Sequence, residues 1–487
     1  MKSLFHGAFL SGVSARALSV VLAASLAACT ANPQALDRPG DVPTAFTAPA
    51  DKAAPVWPQA SWWGNFGSDE LAPLQETAQK ENLDIAQAAA RVLQAEANDG
   101  IALSALFPTL GGSFDASRSG GNTPTPSRGR AGNSFSAGLT ASYQQGFFGT
   151  EYLRLQSARE DLRASRYAAA VVGISTSSQV ADTYFQILSF RERIAIAQTN
   201  IAAAKRILAI TQAKVNSGVS SNLDLAEQTA VLAQQESTLP FLIQSEKQAR
   251  YSLAILLGRS PEGYDIKAVN LTGIAAPSIQ PGLPSELLLR NPSVAQAEAT
   301  LYAAHANVDA ARTLYFPSLN LNGSAGYGST VLSGLFGPAG FIWSIGAGAL
   351  QTIFDGGRIH AQNDLAKAQQ QEFIAAYRQT VFVAFRDVET SLDLIKSTTD
   401  QLVLVELQTR SYAEAFRIAE LQYREGTIDI LSLLNNQQQL FSAQQSLVQI
   451  KLARLEASLS LYNALGGGWD QKTDDANYKN QLDWWPL

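Results

Sequence analysis

The segment Tyr315-Phe316-Pro317-Ser318-Leu319 marks a point where two kinds of sequence periodicity meet. Proline disfavours the helical conformation of the residue before it, so this segment predicts the end of a helix and the start of an extended strand. The same junction occurs earlier in the chain as Leu106-Phe107-Pro108-Thr109-Leu110. Its recurrence predicts a fold built twice from one plan.

Further landmarks recur in the same order and at nearly constant spacing. The segment Asn216-Ser217-Gly218 returns as Arg424-Glu425-Gly426, and we align Leu223-Asp224-Leu225 with Ile428-Asp429-Ile430. Each copy predicts a helix, two strands, a very long helix, a tight turn and a last helix. We therefore predict an internal duplication, with repeats at 61–258 and 285–466, a linker at 259–284 and a tail at 467–487.

The long helices show the spacing of coiled coils. A helix over 150–215 would extend about 100 Å, which exceeds the size of an ordinary globular domain. Its predicted seam positions follow steps of three and four residues, the heptad spacing of left-handed coiled coils; they are Ile194, Ala197, Ile201, Ala204, Leu208, Thr211 and Val215. We expect Pro240 to bend the shorter helix 222–257.

Four segments alternate apolar and polar residues, namely 109–118, 134–144, 318–327 and 342–352. Alternation over about ten residues is typical of a transmembrane barrel strand. It is also typical of a half-buried strand in a soluble sandwich, so the strands alone leave both interpretations open.

The N-terminus favours the membrane interpretation. Residues 1–28 have a positive start and an apolar stretch, and the segment Leu26-Ala27-Ala28-Cys29 resembles the lipobox of bacterial lipoproteins. Cys29 is the only cysteine in the chain, and Thr30 after it predicts sorting to the outer membrane. An ordinary secretory signal with an incidental cysteine is the alternative. The proline-rich residues 29–60 predict an extended strap from the lipid to the body.

Four strands are too few to close a membrane barrel, since the smallest bacterial barrels use about eight. The hydrocarbon region tolerates no open sheet edge. We therefore expect identical chains to share one barrel in the outer-membrane lipid, continued by a cylinder of helical rods.

Together these features resemble the TolC-like outer-membrane factors, and most closely the lipoprotein branch that serves resistance–nodulation–division efflux pumps. The resemblance covers roughly 60–469. It implies an α+β membrane protein: a homotrimer with a twelve-stranded outer-membrane β-barrel and a long α-helical coiled-coil tunnel in the periplasm. It also implies a passive exit duct fed by an inner-membrane transporter through a periplasmic adaptor. The segment Leu289-Arg290-Asn291-Pro292 departs from the family's usual Arg-Arg-Pro-Asp.

The resemblance also implies two sets of site residues at the helical tips. Tyr423 corresponds to the family's gate-latching tyrosine and Asp224 to its acceptor, with Thr427 and Asp429 at the same gate. Both aspartates are alternatively helix caps. Tips around Gly218, Val219, Ser220 and Gly426 are implied to contact the adaptor, although a glycine here also fits a plain helix cap.

Other function classes find little support. Lys and Arg number 36 against 42 Asp and Glu, which gives no reason to expect nucleic-acid binding. No nucleophile, phosphate-loop or dinucleotide motif appears, and His305 has no evident partner, so we expect neither an enzyme nor a cofactor beyond lipid on Cys29. The remaining alternatives are a non-channel periplasmic scaffold lipoprotein and the exit duct of a type I secretion system.

Overall fold

The structure is a computed structural model that describes residues 43, 46, 57–59, 61–120, 131–146, 148–277 and 282–471. The chain divides into two units, Met1–Pro43 and Thr44–Leu487, and every helix and strand below lies in the second. The predicted signal peptide 1–28, the lipid site Cys29 and most of the strap and tail lie outside the described residues. No described helix combines the length and apolar character that crossing a membrane requires.

The elements follow the predicted order twice. The helices are α1 Leu71–Glu81, α2 Leu83–Ser104, α3 Thr150–Asn216, α4 Asn222–Leu256, α5 Pro284–Leu287, α6 Pro292–Thr313, α7 Arg358–Glu425 and α8 Ile430–Ala464. The strands are β1 Thr109–Ser119, β2 Gly132–Gly146, β3 Ser318–Ser329 and β4 Phe341–Leu350. All four predicted strands and all the long helices are therefore present, and the two halves of the chain share one compact unit.

The two long helices dominate the fold, with 67 residues in α3 and 68 in α7. Each begins after a glycine in the left-handed conformation, Gly149 or Gly357, which only glycine adopts at little cost. At 1.5 Å per residue each helix extends about 100 Å. Pro240 lies inside α4 without ending it, so the helix tolerates the missing backbone hydrogen bond.

The main core lies where α3 meets the N-terminal segment and α8. Trp62 is 2% exposed and stacks on Tyr462 at 4.9 Å between ring centroids. Phe66 is fully buried and lies 5.2 Å from Phe185 of α3. These contacts fix the point where the N-terminal segment joins the helical body.

One half-buried arginine holds the linker after α4 in place. Arg191 donates from Nη1 to the backbone oxygens of Ile266 at 2.8 Å and Ala268 at 2.7 Å, and from Nε to Glu246 at 3.0 Å. These charge-assisted bonds connect α3, α4 and the linker through a single side chain.

The four strands form one antiparallel sheet in the order β1-β2-β3-β4. The central β2–β3 pair joins the two halves of the chain, and β1 and β4 are the edges. Helices connect at one end of the sheet, whereas the β1–β2 and β3–β4 hairpin connections lie at the other.

Candidate functional site: the sheet faces and the helical tips

The register gives the sheet two chemically different faces. On the apolar face lie Leu110, Phe114, Ala116, Phe135, Ala137, Leu139, Ala141, Tyr143, Leu319, Leu321, Ala325, Tyr327, Phe341, Trp343, Ile345, Ala347 and Ala349. On the opposite face lie mainly Ser, Thr, Asn, Gln and Gly, with Ile342 and Leu350 as apolar exceptions and Asp115 as the charged group. The alternation predicted from sequence is confirmed across all four strands. Such a sheet can separate hydrocarbon from water.

Small residues on the polar face allow the strands to approach closely. Gly138 and Gly326 lie directly opposite each other in the β2–β3 pair. A Cβ added to Gly326 would lie 2.7 Å from the backbone oxygen of Ala137 and 2.8 Å from the Gly138 Cα. Paired glycines of this kind permit the strong curl that a closed barrel requires.

At the far end of the rods, the two helical tips close in the same way. Gly218 has φ +74° and Gly426 has φ +77°, both in the left-handed region. After α3, the Val219 amide donates to the Lys214 oxygen at 2.8 Å; after α7, the Thr427 amide donates to the Gln422 oxygen at 2.9 Å. Both turns are Schellman caps, so the capping interpretation of the tip glycines is confirmed.

The aspartates at the tips also cap helices. Ser221 and Asp224 form a reciprocal capping box at the start of α4. Asp429 caps α8 by accepting from the Ser432 amide at 2.8 Å. Asp224 therefore stands three residues inside its helix and corresponds to Ser432, while Ser221 corresponds to Asp429. Our alignment of Asp224 with Asp429 was wrong. At the start of α4 a serine is the cap and an aspartate follows three residues later, whereas at the start of α8 an aspartate is the cap and a serine follows three residues later.

Both tip carboxylates are held in the ionised form. Hydrogen bonds from the Ser220 hydroxyl, and then from Ser221, lower the pKa of Asp224. Hydrogen bonds from Ser432 lower the pKa of Asp429, with a small opposing effect from the negative charge of Asp224. Asp224 and Asp429 therefore contribute two negative charges at the helical tips.

The predicted Tyr423–Asp224 hydrogen bond is not formed. The Tyr423 hydroxyl lies 3.1 Å from Thr211 Oγ1, with Tyr423 4% exposed and Thr211 fully buried. Thr211 already donates its single proton to the backbone oxygen of Ile207 at 3.0 Å, so Tyr423 is the donor in this pair. The partner differs from the prediction because Asp224 is held by its own capping box.

Two cations complete a contact between α3 and α7 near the tips. Lys214 donates to the backbone oxygen of Tyr423, and its Nζ lies 4.3 Å from the centre of the tyrosine ring. Arg206 makes a bidentate pair with Glu420 at 2.7 and 2.9 Å. We name the Tyr423–Thr211, Lys214–Tyr423 and Arg206–Glu420 contacts the tip clasp. Sequence reasoning missed Thr211, although a polar residue in an otherwise apolar seam was a signal.

The tips are also accessible. Val219 is 73% exposed, and a Cβ on Gly218 or Gly426 would meet no atom within 4 Å. Thr427 has a structural role, because its hydroxyl donates to the Gln422 oxygen at 3.1 Å and helps to close the turn. Ser220 is half-buried and bonded to Asp224.

A pair of acids lies within the helical wall. Asp182 of α3 accepts a hydrogen bond from Gln186 at 3.0 Å and has Glu456 of α8 as a neighbour. Burial raises the pKa of both carboxyl groups, and the charge of Asp182 raises that of Glu456 further. Neither pKa is shifted by a nearby cation.

The histidine that the sequence analysis considered has structural partners. His305, which we expected to be unpartnered, contacts Gln370 at 2.9 Å through Nδ1, and its Nε2 lies 3.6 Å from Asp309. Across the part of the chain that the structure describes, no group of three or more His, Cys, Asp or Glu side chains could hold a metal ion.

The amphipathic sheet and the long paired helices are the features expected of an outer-membrane channel protein. The family model described as outer membrane efflux protein matches residues 74–259 and 283–467, and the chain belongs to this family.

Similarities to known proteins support this family assignment. The pyoverdine export outer membrane protein OpmQ of Pseudomonas aeruginosa is 36% identical over 465 residues, which cover 94% of this chain and 98% of the relative. The cation efflux system protein CusC of Escherichia coli K12 is 30% identical over 419 residues, 85% of this chain and 90% of the relative. The open state of the Neisseria gonorrhoeae outer-membrane channel MtrE matches with a TM-score of 0.81 and 29% identity, over 90% of this chain and 98% of that one. These similar proteins are export and channel proteins, not enzymes.

Proposed function

We propose that this protein is the outer-membrane exit duct of a tripartite efflux pump, in which three copies share one twelve-stranded barrel. The observation that carries the proposal is the four-stranded sheet, which has one apolar face, one polar face and two edge strands. Lipid tolerates no open edge, so β1 and β4 need partners from other copies. Three copies supply twelve strands, the number that the family resemblance implies. A periplasmic scaffold would have no use for such a sheet.

The rods then continue the duct into the periplasm. The family match in both halves of the chain supports an internal duplication, which places two rod pairs in each protomer. An inner-membrane transporter of the resistance–nodulation–division type would supply the energy and deliver substrates through a periplasmic adaptor. The names of the similar proteins, a pyoverdine exporter and a cation efflux protein, support export as the shared activity.

The tips serve both contact and closure in this proposal. Exposed Val219 beside the open glycine turns offers a surface to the adaptor. Closure rests on polar contacts that can break and reform: the tip clasp between α3 and α7, and the carboxylates of Asp224 and Asp429. Crosslinks to an adaptor from position 219 would support this orientation, whereas crosslinks only from the loop 117–133 would invert it.

The lipid on Cys29 acts as a tether in this proposal, since the strands and not the lipid close the barrel. Cys29→Ala should abolish acylation while the trimer still forms and inserts. A soluble, strand-free Cys29→Ala protein would show that the lipid is needed for the fold itself.

The central experiment is single-channel conductance of the purified protein in planar bilayers, together with its mass in detergent. We expect ion conduction from a species of three protomers. Asp115 tests which face lines the duct, because it is the charged group on the polar face of β1. Asp115→Lys should shift the reversal potential in a salt gradient towards anions, with Asp115→Asn intermediate. Unchanged selectivity in both variants, or conduction by a monomer, would refute the proposal.

A further inference from the structure

The hairpin connection between β3 and β4, residues 330–340, has a fixed and compact shape. It contains two short 3-10 turns, Leu332–Gly334 and Pro338–Gly340. The Ser329 hydroxyl accepts from the Val331 amide at 3.1 Å, and the Gly340 amide donates to the Gly337 oxygen at 3.0 Å. A Cβ on Gly340 would lie 2.9 Å from the Gly328 oxygen, so the connection folds tightly onto the end of β3.

This connection exposes large apolar side chains. Val331 is 59% exposed, Leu332 56% and Phe336 71%. The connection contains no charged residue. The β1–β2 hairpin at the same end of the sheet differs, since its sequence from 118 to 130 contains three arginines together with Gly, Pro, Ser and Thr.

The aromatic contacts of Phe336 show on which side of the sheet this side chain lies. Phe336 packs edge-to-face on Tyr327 with 5.6 Å between ring centroids, and Tyr327 lies 5.3 Å from Phe341. Tyr327 and Phe341 are cross-strand partners on the apolar face of the sheet. On that same face, Trp343 follows along β4 and is 66% exposed. The apolar face therefore continues without a break into the connection.

We infer that the β3–β4 connection inserts Val331, Leu332 and Phe336 into the acyl-chain region of the outer leaflet and anchors that end of the barrel. This inference rests on the proposed function, in which the apolar sheet face contacts lipid. Hydrocarbon is the occupant that suits a rigid, uncharged surface continuous with that face. Aromatic residues also gather where membrane barrels leave the hydrocarbon region. A plug of the duct would instead have to pack on the polar face.

Site-directed spin labelling tests the placement. Phe336→Cys carries the label, and its accessibility to oxygen, which partitions into hydrocarbon, is compared with that to a water-soluble nickel chelate. Ala347→Cys and Gly346→Cys are matched references, because these neighbours in β4 lie on opposite faces and a Cβ on Gly346 meets no atom within 4 Å. The wild-type protein reports any labelling at Cys29, and Leu332→Cys is a second probe if Phe336→Cys folds poorly.

We expect the oxygen-to-nickel accessibility ratio at 336 to match that at 347 and to exceed that at 346. If the ratio at 336 matched that at 346 while 347 lay in lipid, the connection would lie in water. That result would overturn this inference and leave the proposed function intact. Shielding of 336 from both reagents would show that a neighbouring protomer covers it, which also overturns the inference. Nickel accessibility at 347 would contradict the proposed function itself.

Discussion

The Tyr423 hydroxyl offers a direct test of the tip clasp as a closing device. Tyr423→Phe removes one donor and keeps the ring beneath Lys214 as well as the backbone oxygen that Lys214 binds. Thr211 keeps its bond to Ile207, so no buried donor is left unpaired. The lost bond should therefore cost about 1 kcal/mol per protomer.

That energy acts three times in a trimer that opens as one unit. About 1 kcal/mol corresponds to a change of about fivefold in the ratio of closed to open tips, and three copies give about 150-fold. Open probability in planar bilayers should rise steeply, while the mass of the trimer stays the same. If the wild-type channel were already fully open in the same membrane, its open probability could not rise, and closure by the clasp would be contradicted.

Tyr184→Phe is the matched control. Tyr184 is 1% exposed, and its hydroxyl lies 2.9 Å from Ser68 Oγ, away from the tips. Both variants should melt slightly earlier than wild type, but only Tyr423→Phe should change gating. If the two variants conducted alike and differed from wild type only in melting temperature, the clasp would be structural and the gate would lie elsewhere.

Three further predictions concern stability. Because burial raises the pKa of Asp182, its ionisation destabilises the fold as pH rises through that pKa, so Asp182→Asn should melt higher than wild type near neutral pH; the gain should vanish towards about pH 4. Gly466→Ala would place a Cβ 1.9 Å from the backbone oxygen of Arg290 and should abolish stable folding. Gly263 also has a positive φ but has open space around it, so Gly263→Ala should lower the free energy of unfolding in thermal melts by only about 1 kcal/mol. Ser221→Ala should cost about 1 kcal/mol locally and speed amide exchange in the first turn of α4, with no change at the α8 tip.

The long helices and the strands could be predicted because their signals are local. Heptad spacing and polar–apolar alternation are properties of consecutive residues, and the Phe-Pro junctions mark where one periodicity gives way to the other. The predicted strand 318–327 and the observed β3, Ser318–Ser329, differ only at one end.

The tip contacts could not be predicted in the same way. Thr211 and Tyr423 are 212 positions apart, and only the packing of α3 against α7 brings them together. The resemblance made Asp224 the acceptor of Tyr423, but in the structure Asp224 Oδ2 accepts from the Ser220 hydroxyl and from the Ser221 amide. The local sequence around Asp224 fits a helix cap and a gate residue equally well, and only the structure shows the capping box.

The central pairing of the sheet has a consequence for biogenesis. Gly138 and Gly326 are opposite each other in the sheet, yet they are 188 positions apart along the chain. Closing so long a loop costs conformational entropy before any favourable strand contact forms. Such non-local pairing is therefore slow. During synthesis of the proposed outer-membrane protein, the first hairpin therefore forms well before the second hairpin can pair with it. Even a completed sheet keeps β1 and β4 as edges that can capture the wrong partner. For the proposed trimer, we expect assembly to depend on factors that shield these strands until three chains meet.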